Sequence, residues 1–311
     1  MSDALDLSVV AADYLSTRRA LGYQLKQQGQ QLEVFVGYLK TLGAERLTVS
    51  DALAWAMLPV DASPVCWHAR LGLVRGFARY LQALDPTSEV PPDGLLPGGS
   101  HRTTPYIYSG PQIAMLLTAA GRLRSSLRAD TYQTLLALLV VTGMRLGEAV
   151  SLDRDDLDYE QGLLTIRRGK FGKARQLPLH PSTVKALGAY RDRVDGQHRN
   201  VAAPSLFVST VGTRLIRENV DVAFSRLVHE TELDWSGRRR RPRVHDLRHS
   251  FAVRTLVGWY RDGLDVQARL PLLSTYMGHT GPASTYYYLT AVPELVALIA
   301  DRLDSISPVP S

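Results

Sequence analysis

Thr142-Gly143-Met144-Arg145-Leu146-Gly147-Glu148 is the stretch on which the reading of this 311-residue chain turns. The run before it, Thr131 to Val141, is apolar and predicts a helix, and Gly143 predicts its end. Arg145 then stands just ahead of a second helix beginning at Leu146, on which Glu148, three residues on, faces back toward the arginine. In isolation Arg145 reads as an ordinary helix-end or surface residue, and Glu148 as an exposed helix carboxylate.

Working outward toward the C-terminus, Leu163 to Arg167 and Arg175 to Leu179 predict two short strands. Arg168-Gly169-Lys170-Phe171-Gly172-Lys173-Ala174 between them predicts a hairpin carrying two lysines. Leu206-Phe207-Val208 predicts a further short strand. Helices are predicted around Ser182 to Val194, Glu218 to Glu230, Asp246 to Tyr260 and Pro293 to Leu303, with one more capped by Ser109. At the start of the Asp246 helix lies His245-Asp246-Leu247-Arg248-His249. Further on come Gly278-His279 and three consecutive tyrosines, Tyr286, Tyr287 and Tyr288. Adjacent helical residues point about 100° apart, so no more than one of the three faces a given point. The same spacing turns His249 to a different face from Arg248, so His249 is not expected among the reacting groups.

Working outward the other way, Asp85 to Ser100 is rich in proline and glycine and has no helical period. It reads as an extended linker, giving a helical domain over 1–88, a linker over 89–104 and a mixed domain over 105–311. The first domain predicts four helices: Ala11 to Leu21 closed by Gly22, one carrying Leu32, Phe35, Val36 and Leu39 and ending at Gly43, one capped by Thr48 or Ser50, and one opened by Pro64. Trp67 and His68 belong to packing or surface there. The fold class expected is mainly α with a small β-sheet.

Composition narrows the function classes. Hydrophobic residues make up 45% of the chain, enough for packed cores and too many for a disordered protein. The longest apolar stretch, Leu135 to Val141, is about a third of what a membrane-spanning helix needs. The first residues are acidic and lack an apolar core, so no signal peptide is expected. Cys66 is the single cysteine, which excludes a disulfide framework and a thiolate metal cluster and fits the reducing cytoplasm. The net charge is +6 and the pI about 9.5. Part of that charge is gathered in Arg238, Arg239, Arg240, Arg241 and Arg243, immediately before the His245 segment, and part in Arg167, Arg168, Lys170, Lys173 and Arg175. Such runs suit a polyanion, and as often they are only solvated faces.

Taken together, in this order and at these gaps, the Arg145 segment, Gly169-Lys170, His245-x-x-Arg248 and Gly278-His279 followed by Tyr288 resemble the tyrosine recombinase (phage integrase) family. The resemblance covers Pro105 to Leu303, and closer features of Leu273 to Leu295 resemble XerC/XerD-like and transposon-encoded members. It implies an N-terminal helical core-binding (SAM-like) domain and a mixed α/β catalytic domain. It implies that Arg145, Lys170, His245, Arg248, His279 and Tyr288 are catalytic and that Glu148 supports Arg145. Two arginines would clamp the non-bridging oxygens of a phosphodiester, and the histidines would add hydrogen bonds or move protons. Lys170 would protonate the departing 5′ oxygen, with Lys173 its competitor on the hairpin. Tyr288, selected over Tyr287 by its spacing from His279, would attack to leave a 3′-phosphotyrosyl link, which conserves the bond energy without ATP.

No metal and no cofactor are expected in that scheme. Arg238, Arg239, Arg240, Arg241, Arg243 and Lys173 are expected to touch the DNA backbone. The partners implied are double-stranded DNA carrying specific recombination sites, three further copies in a synaptic homo-tetramer, and accessory recombinases or DNA-bending proteins. Residues 292–303 predict an apolar helix that docks on a neighbouring copy or on its own domain. The gap from Arg248 to His279 is longer than in compact members and predicts a lengthened helix or loop. Two other readings stay open: a type IB topoisomerase-like enzyme that relaxes DNA, and a non-catalytic DNA-binding protein of the same fold.

Overall fold

A computed structural model of the chain describes residues 5–98, 104–167, 174–197, 204–233, 235–236, 240–279, 281 and 283–291. The chain divides into two compact units, Met1–Arg102 and Thr103–Ser311.

In the first unit the described residues form α1 (Leu7–Ala20), α2 (Lys26–Thr41), α3 (Val49–Met57) and α4 (Pro64–Gln82). Helix α1 starts ahead of the expected Ala11 because Asp6 accepts the Ser8 amide at 2.8 Å and holds the first turn. Thr48 caps α3 through the Asp51 amide, and Pro64 sits in the first turn of α4, where its missing N–H costs nothing. The apolar faces meet on Leu32, Phe35, Leu39, Trp55, Phe77 and Leu81, all fully buried. Trp67 donates to the Pro59 carbonyl at 2.9 Å, a packing role.

The proline-rich stretch after α4 forms no regular element, yet it is not a free tether. Arg75, 7% exposed, donates to the carbonyls of Pro91 at 2.7 Å and Pro92 at 2.9 Å and pairs with Asp93 at 2.9 Å. The Glu89 amide donates to the Leu47 carbonyl at 2.8 Å, and Leu96 joins the helical core. A buried guanidinium demands partners, and here the partners are the strand-like chain itself. The stretch expected to be an extended linker is therefore strapped to its own helices as far as Leu96.

The second unit contains α5 (Gly110–Ala120), α6 (Ser126–Thr142), α7 (Leu146–Val150), α8 (Pro181–Gln197), α9 (Arg217–Glu230), α10 (Val244–Arg261), α11 (Val266–Met277) and α12 (Ala283–Ala291). Between α7 and α8 lies an antiparallel sheet of β1 (Leu157–Asp158), β2 (Leu163–Ile166) and β3 (Arg175–Pro178), in that order. Register pairs Leu164 with Leu177 and Ile166 with Arg175, so the buried leucines face one side while Arg175 closes the strand end. Leu206–Val208 forms no strand: Val208 makes a single bridge to Arg214, and Ser205, just before the stretch, a single bridge to Asp153. Its apolar character comes from burial, with Phe207 fully enclosed, and not from a strand ladder.

One apolar cluster surrounds α6, through Leu135, Leu139, Tyr190, Phe207 and Phe224. A second joins α10, α11 and α12 through Leu256, Leu270, Met277 and the ring of Tyr288. The long interval between Arg248 and His279 is taken up by α10 itself, which runs to Arg261, then by a turn at Gly263 (φ +69°) and a fresh helix capped by Asp265. Among the described residues no helix is long and apolar enough to cross a membrane.

Candidate active site

Two short-range devices set the arginines. Helices α7 and α10 begin alike: an arginine at the cap and an acid three residues on. The Arg145 amide donates to Glu148 Oε2 at 2.9 Å, and the Arg243 amide to Asp246 Oδ2 at 2.8 Å. An acid in the first turn satisfies an otherwise unpartnered amide and sits favourably against the helix dipole. The Glu148 side chain then holds Arg145 Nη1 at 2.9 Å, and its two oxygens hold Arg175 from β3 at 3.0 and 2.8 Å. Burial works to raise the Glu148 carboxyl, but the Arg175 bonds and the Arg145 amide outweigh it and hold the group below its ordinary value.

Two left-handed glycines end α6 and α11 and hand carbonyls to the arginines. Gly143 (φ +60°) and Gly278 (φ +68°) occupy a conformation that side chains rarely adopt, and a Cβ on Gly143 would also collide with the Phe251 ring. Arg248 donates Nη1 to the Gly143 carbonyl and Nη2 to the Met277 carbonyl, each at 2.7 Å. Arg145 donates Nη2 to the Gly278 carbonyl at 2.8 Å. The two guanidiniums are thus tied to the same turn, the one that leads into His279. Arg248 is 3% exposed, and burial first and Arg145 second lower it to about 10, so it remains charged at neutral pH.

The histidines and the tyrosine lie on the other side. His249 Nδ1 is 2.9 Å from the Tyr288 hydroxyl, and the His245 ring stands edge-on to His249 with centroids 4.9 Å apart. His279 stacks toward Tyr288 at 6.4 Å between centroids and shares a 2.8 Å bond from Nδ1 to Thr285 Oγ1. His249 and His279 are each lowered to about 3, by burial first and then by neighbouring cationic and imidazole groups. His245 is solvent-exposed, yet desolvation by the packed groups around it, and then Arg248, hold it below the ordinary histidine value. Three uncharged imidazoles therefore sit beside guanidiniums that carry full charge. Such a set can cradle a tetrahedral anion and move a proton next to it.

The residues expected from sequence divide into groups. Arg145, Glu148, His245, Arg248, His279 and Tyr288 are gathered by α7, α10, the α11 turn and α12. Tyr288 is 2% exposed, Tyr286 is 42% exposed and Tyr287 is half-buried, so the three side chains meet different surroundings. Lys170, Lys173, Arg238, Arg239 and the 292–303 segment lie outside the described residues. Arg240 and Arg241 are exposed, with Arg241 5.7 Å from the Trp235 ring, and exposed Arg243 meets Asp246 at 3.4 Å. Among the described residues no group of three His, Cys, Asp or Glu side chains is placed to hold a metal ion.

Two members of the site were not expected. Helical rotation separates His249 from the adjacent Arg248, but His249 is four residues after His245, and that spacing puts both on one helix face. Arg175 was counted in a charge run. Its position at the end of a predicted strand was the available signal, but its partner Glu148 is brought to it only by the folded sheet.

Comparison with known proteins shows the family and the fold. The family model described as "Phage integrase family" matches residues 110–294. An integrase/recombinase of Sinorhizobium fredii, y4rB, is 42% identical over 299 residues, covering 94% of this chain and 95% of that protein. Tyrosine recombinase XerC of Azotobacter vinelandii is 33% identical over 232 residues, 75% of this chain and 71% of XerC. In fold, the chain is similar to the Tn1549 transposon integrase in complex with transposon right end DNA, with a TM-score of 0.65, 19% identity, and coverage of 94% of this chain and 99% of that one. With a family model spanning more than half its length and a relative so similar across nearly all of it, the chain belongs to the phage integrase family, the tyrosine recombinases that break and rejoin DNA strands.

Proposed function

We propose that this chain recombines duplex DNA at specific sites of a mobile element, through a covalent 3′-phosphotyrosyl intermediate on Tyr288. The observation that carries the reading is the convergence of Arg145 and Arg248 on the turn before His279, next to the buried Tyr288 hydroxyl. Arg145 and Arg248 clamp the non-bridging oxygens of the scissile phosphate, as planar permanently charged donors do. His245 and His279 donate to the same oxygens, and Glu148 with Arg175 keeps Arg145 aimed. Lys170 supplies the proton to the 5′ oxygen. Arg240, Arg241 and Arg243, with Arg238, Arg239 and Lys173, neutralise flanking phosphates, so binding weakens steeply with salt.

The Tn1549 integrase bound to a transposon end supports the mobile-element reading, and the lambda integrase tetramer on a Holliday junction supports four copies acting together. The 1–88 domain and the 105–311 domain would then grip the same duplex. The test uses nicked suicide duplexes tiling the DNA that flanks the gene. A protein–DNA adduct surviving denaturing electrophoresis is expected on at least one duplex, and none on any of them overturns the reading. Strand exchange between two such sites, without relaxation of plasmids lacking them, separates a recombinase from a topoisomerase.

A further inference from the structure

We propose that His249 is the proton acceptor for the Tyr288 hydroxyl, and so a catalytic residue of this site. The inference rests on the reading of Tyr288 as nucleophile. A phenol titrates near pH 10, so at neutral pH it attacks well only if its proton leaves as the new bond forms. A base for that step must stand within about 2.6–3.2 Å of the oxygen. His249 Nδ1 stands at 2.9 Å, with its ring 5.5 Å from the tyrosine ring. The neighbouring imidazoles are differently engaged: His279 Nδ1 is bonded to Thr285, and the edge of His245 meets the His249 ring. With the ring proton on Nε2, the His249 Nδ1 lone pair faces the hydroxyl.

The surroundings explain how one histidine can be inert at rest and basic in reaction. Around His249 stand His245, Arg243 and Arg248 on its own helix, His279 after α11 and Tyr288 on α12. Burial first, then the two neighbouring imidazoles and the two guanidiniums, keep the ring uncharged in the free protein. A phosphodiester seated between Arg145 and Arg248 adds negative charge to that cluster, and the charge on phosphorus-bound oxygens grows as the bond forms. Imidazolium at His249 is then favoured where before it was penalised.

In the forward step the Oη–H bond breaks and its proton passes to Nδ1. The Oη–P bond forms, the P–O5′ bond breaks, and the 5′ oxygen leaves as a hydroxyl with a proton from the general acid. In rejoining, a 5′ hydroxyl gives its proton back to the deprotonated general acid, the O5′–P bond forms as the Oη–P bond breaks, and Nδ1 returns its proton to Oη.

The experiment uses the full chain and the nicked flanking duplex that wild type cleaves, in single turnover. His249→Ala is expected to slow adduct formation about 100- to 1,000-fold with DNA affinity unchanged. The same loss is expected on a duplex with a 5′-bridging sulfur, because a thiolate leaves without a proton while the nucleophile still needs its base. His249→Asn keeps a hydrogen-bonding atom near Nδ1 but takes no proton, and should stay slow; it also carries the test if the alanine variant folds poorly. Wild-type rates in either variant, or rescue by the sulfur substrate, overturn the proposal. Adduct formation by Tyr288→Phe instead overturns the nucleophile reading beneath it.

Discussion

The arginine side and the histidine–tyrosine side of the site are built by opposite means. On the first, charge meets charge or carbonyl: Glu148 binds two guanidiniums, and Arg248 is held by two helix-end carbonyls. On the second, the described contacts join uncharged groups, imidazole to phenol and imidazole to hydroxyl. The first arrangement is rigid and permanently cationic, suited to seizing an anion before any chemistry. The second can change protonation state without unmaking the fold. A site that must bind a phosphate and then transfer a proton beside it uses both, and each is expected to fail differently.

The largest expected effect is on the nucleophile. Tyr288→Phe removes one oxygen from a buried ring and should cut adduct formation by about 10⁶-fold, to background, with DNA binding intact. Tyr287→Phe should retain activity. Adduct retained in the first variant and lost in the second would move the nucleophile by one residue and dissolve the His249 side as described.

Next comes the arginine pair, where the two members should separate. Arg145→Lys and Arg248→Lys both lose planar donors to the phosphate, each costing about 10²–10³-fold in cleavage rate. Their stabilities should diverge. Arg248→Lys leaves a buried carbonyl at Gly143 or Met277 poorly satisfied, a loss of about 2–3 kcal/mol in denaturant melts. Arg145 is more exposed and its loss should cost about 1 kcal/mol. Equal losses would mean that the carbonyl staple is not structural.

Glu148→Gln is expected to be milder in rate, about 10-fold, because Arg145 keeps its bond to the Gly278 carbonyl, Arg175 keeps its 2.9 Å bond to the Tyr276 carbonyl, and only their shared counter-charge goes. Two guanidiniums then face one neutral amide, a loss of about 2–3 kcal/mol. Restoration by a second change, Arg175→Met, would show that the repulsion and not the carboxylate geometry carries the effect.

These contrasts also explain what the sequence could reveal. The helices other than α11, the hairpin strands and the Arg145–Glu148 pair were legible because each depends on neighbours within a turn or a two-residue alternation. The carbonyls given by Gly143 and Gly278 were legible only as helix ends; that each serves an arginine from another segment follows from how α6, α10 and α11 pack. His249 is hidden in sequence because the adjacent Arg248 points away from it while His245, one turn earlier, shares its helix face. Its partner Tyr288 lies 39 residues away, beyond any local pattern. The strap on Arg75 was hidden for a related reason: proline-rich chain looks the same in sequence whether its carbonyls meet water or a buried guanidinium.

The smallest expected effect tests whether the histidine side is uncharged in the folded protein. In the unfolded chain a histidine titrates near about pH 6.5, whereas His249 and His279 in the fold are lowered to about 3. Between those values the unfolded chain binds protons that the folded chain does not, so stability rises with pH and falls as pH drops below about 6.5. At pH 5 the full shift would amount to about 2 kcal/mol per histidine, and partial solvent access reduces this to about 1 kcal/mol each. Carboxylates stay ionised at pH 5, and Glu148 is held lower still, so the arginine side should contribute little in that interval. Denaturant melts at pH 7 and pH 5 should therefore differ, and because His245 is lowered as well, to about 4, His249→Asn should narrow the difference by about a third. A phosphate seated between the arginines should shrink it further by raising both histidines. A pH-independent melt over that range would mean that the imidazoles titrate in the fold as they do in the unfolded chain, and stability that rises as pH falls would mean that they are charged at rest; either result removes the contrast between the two sides of the site.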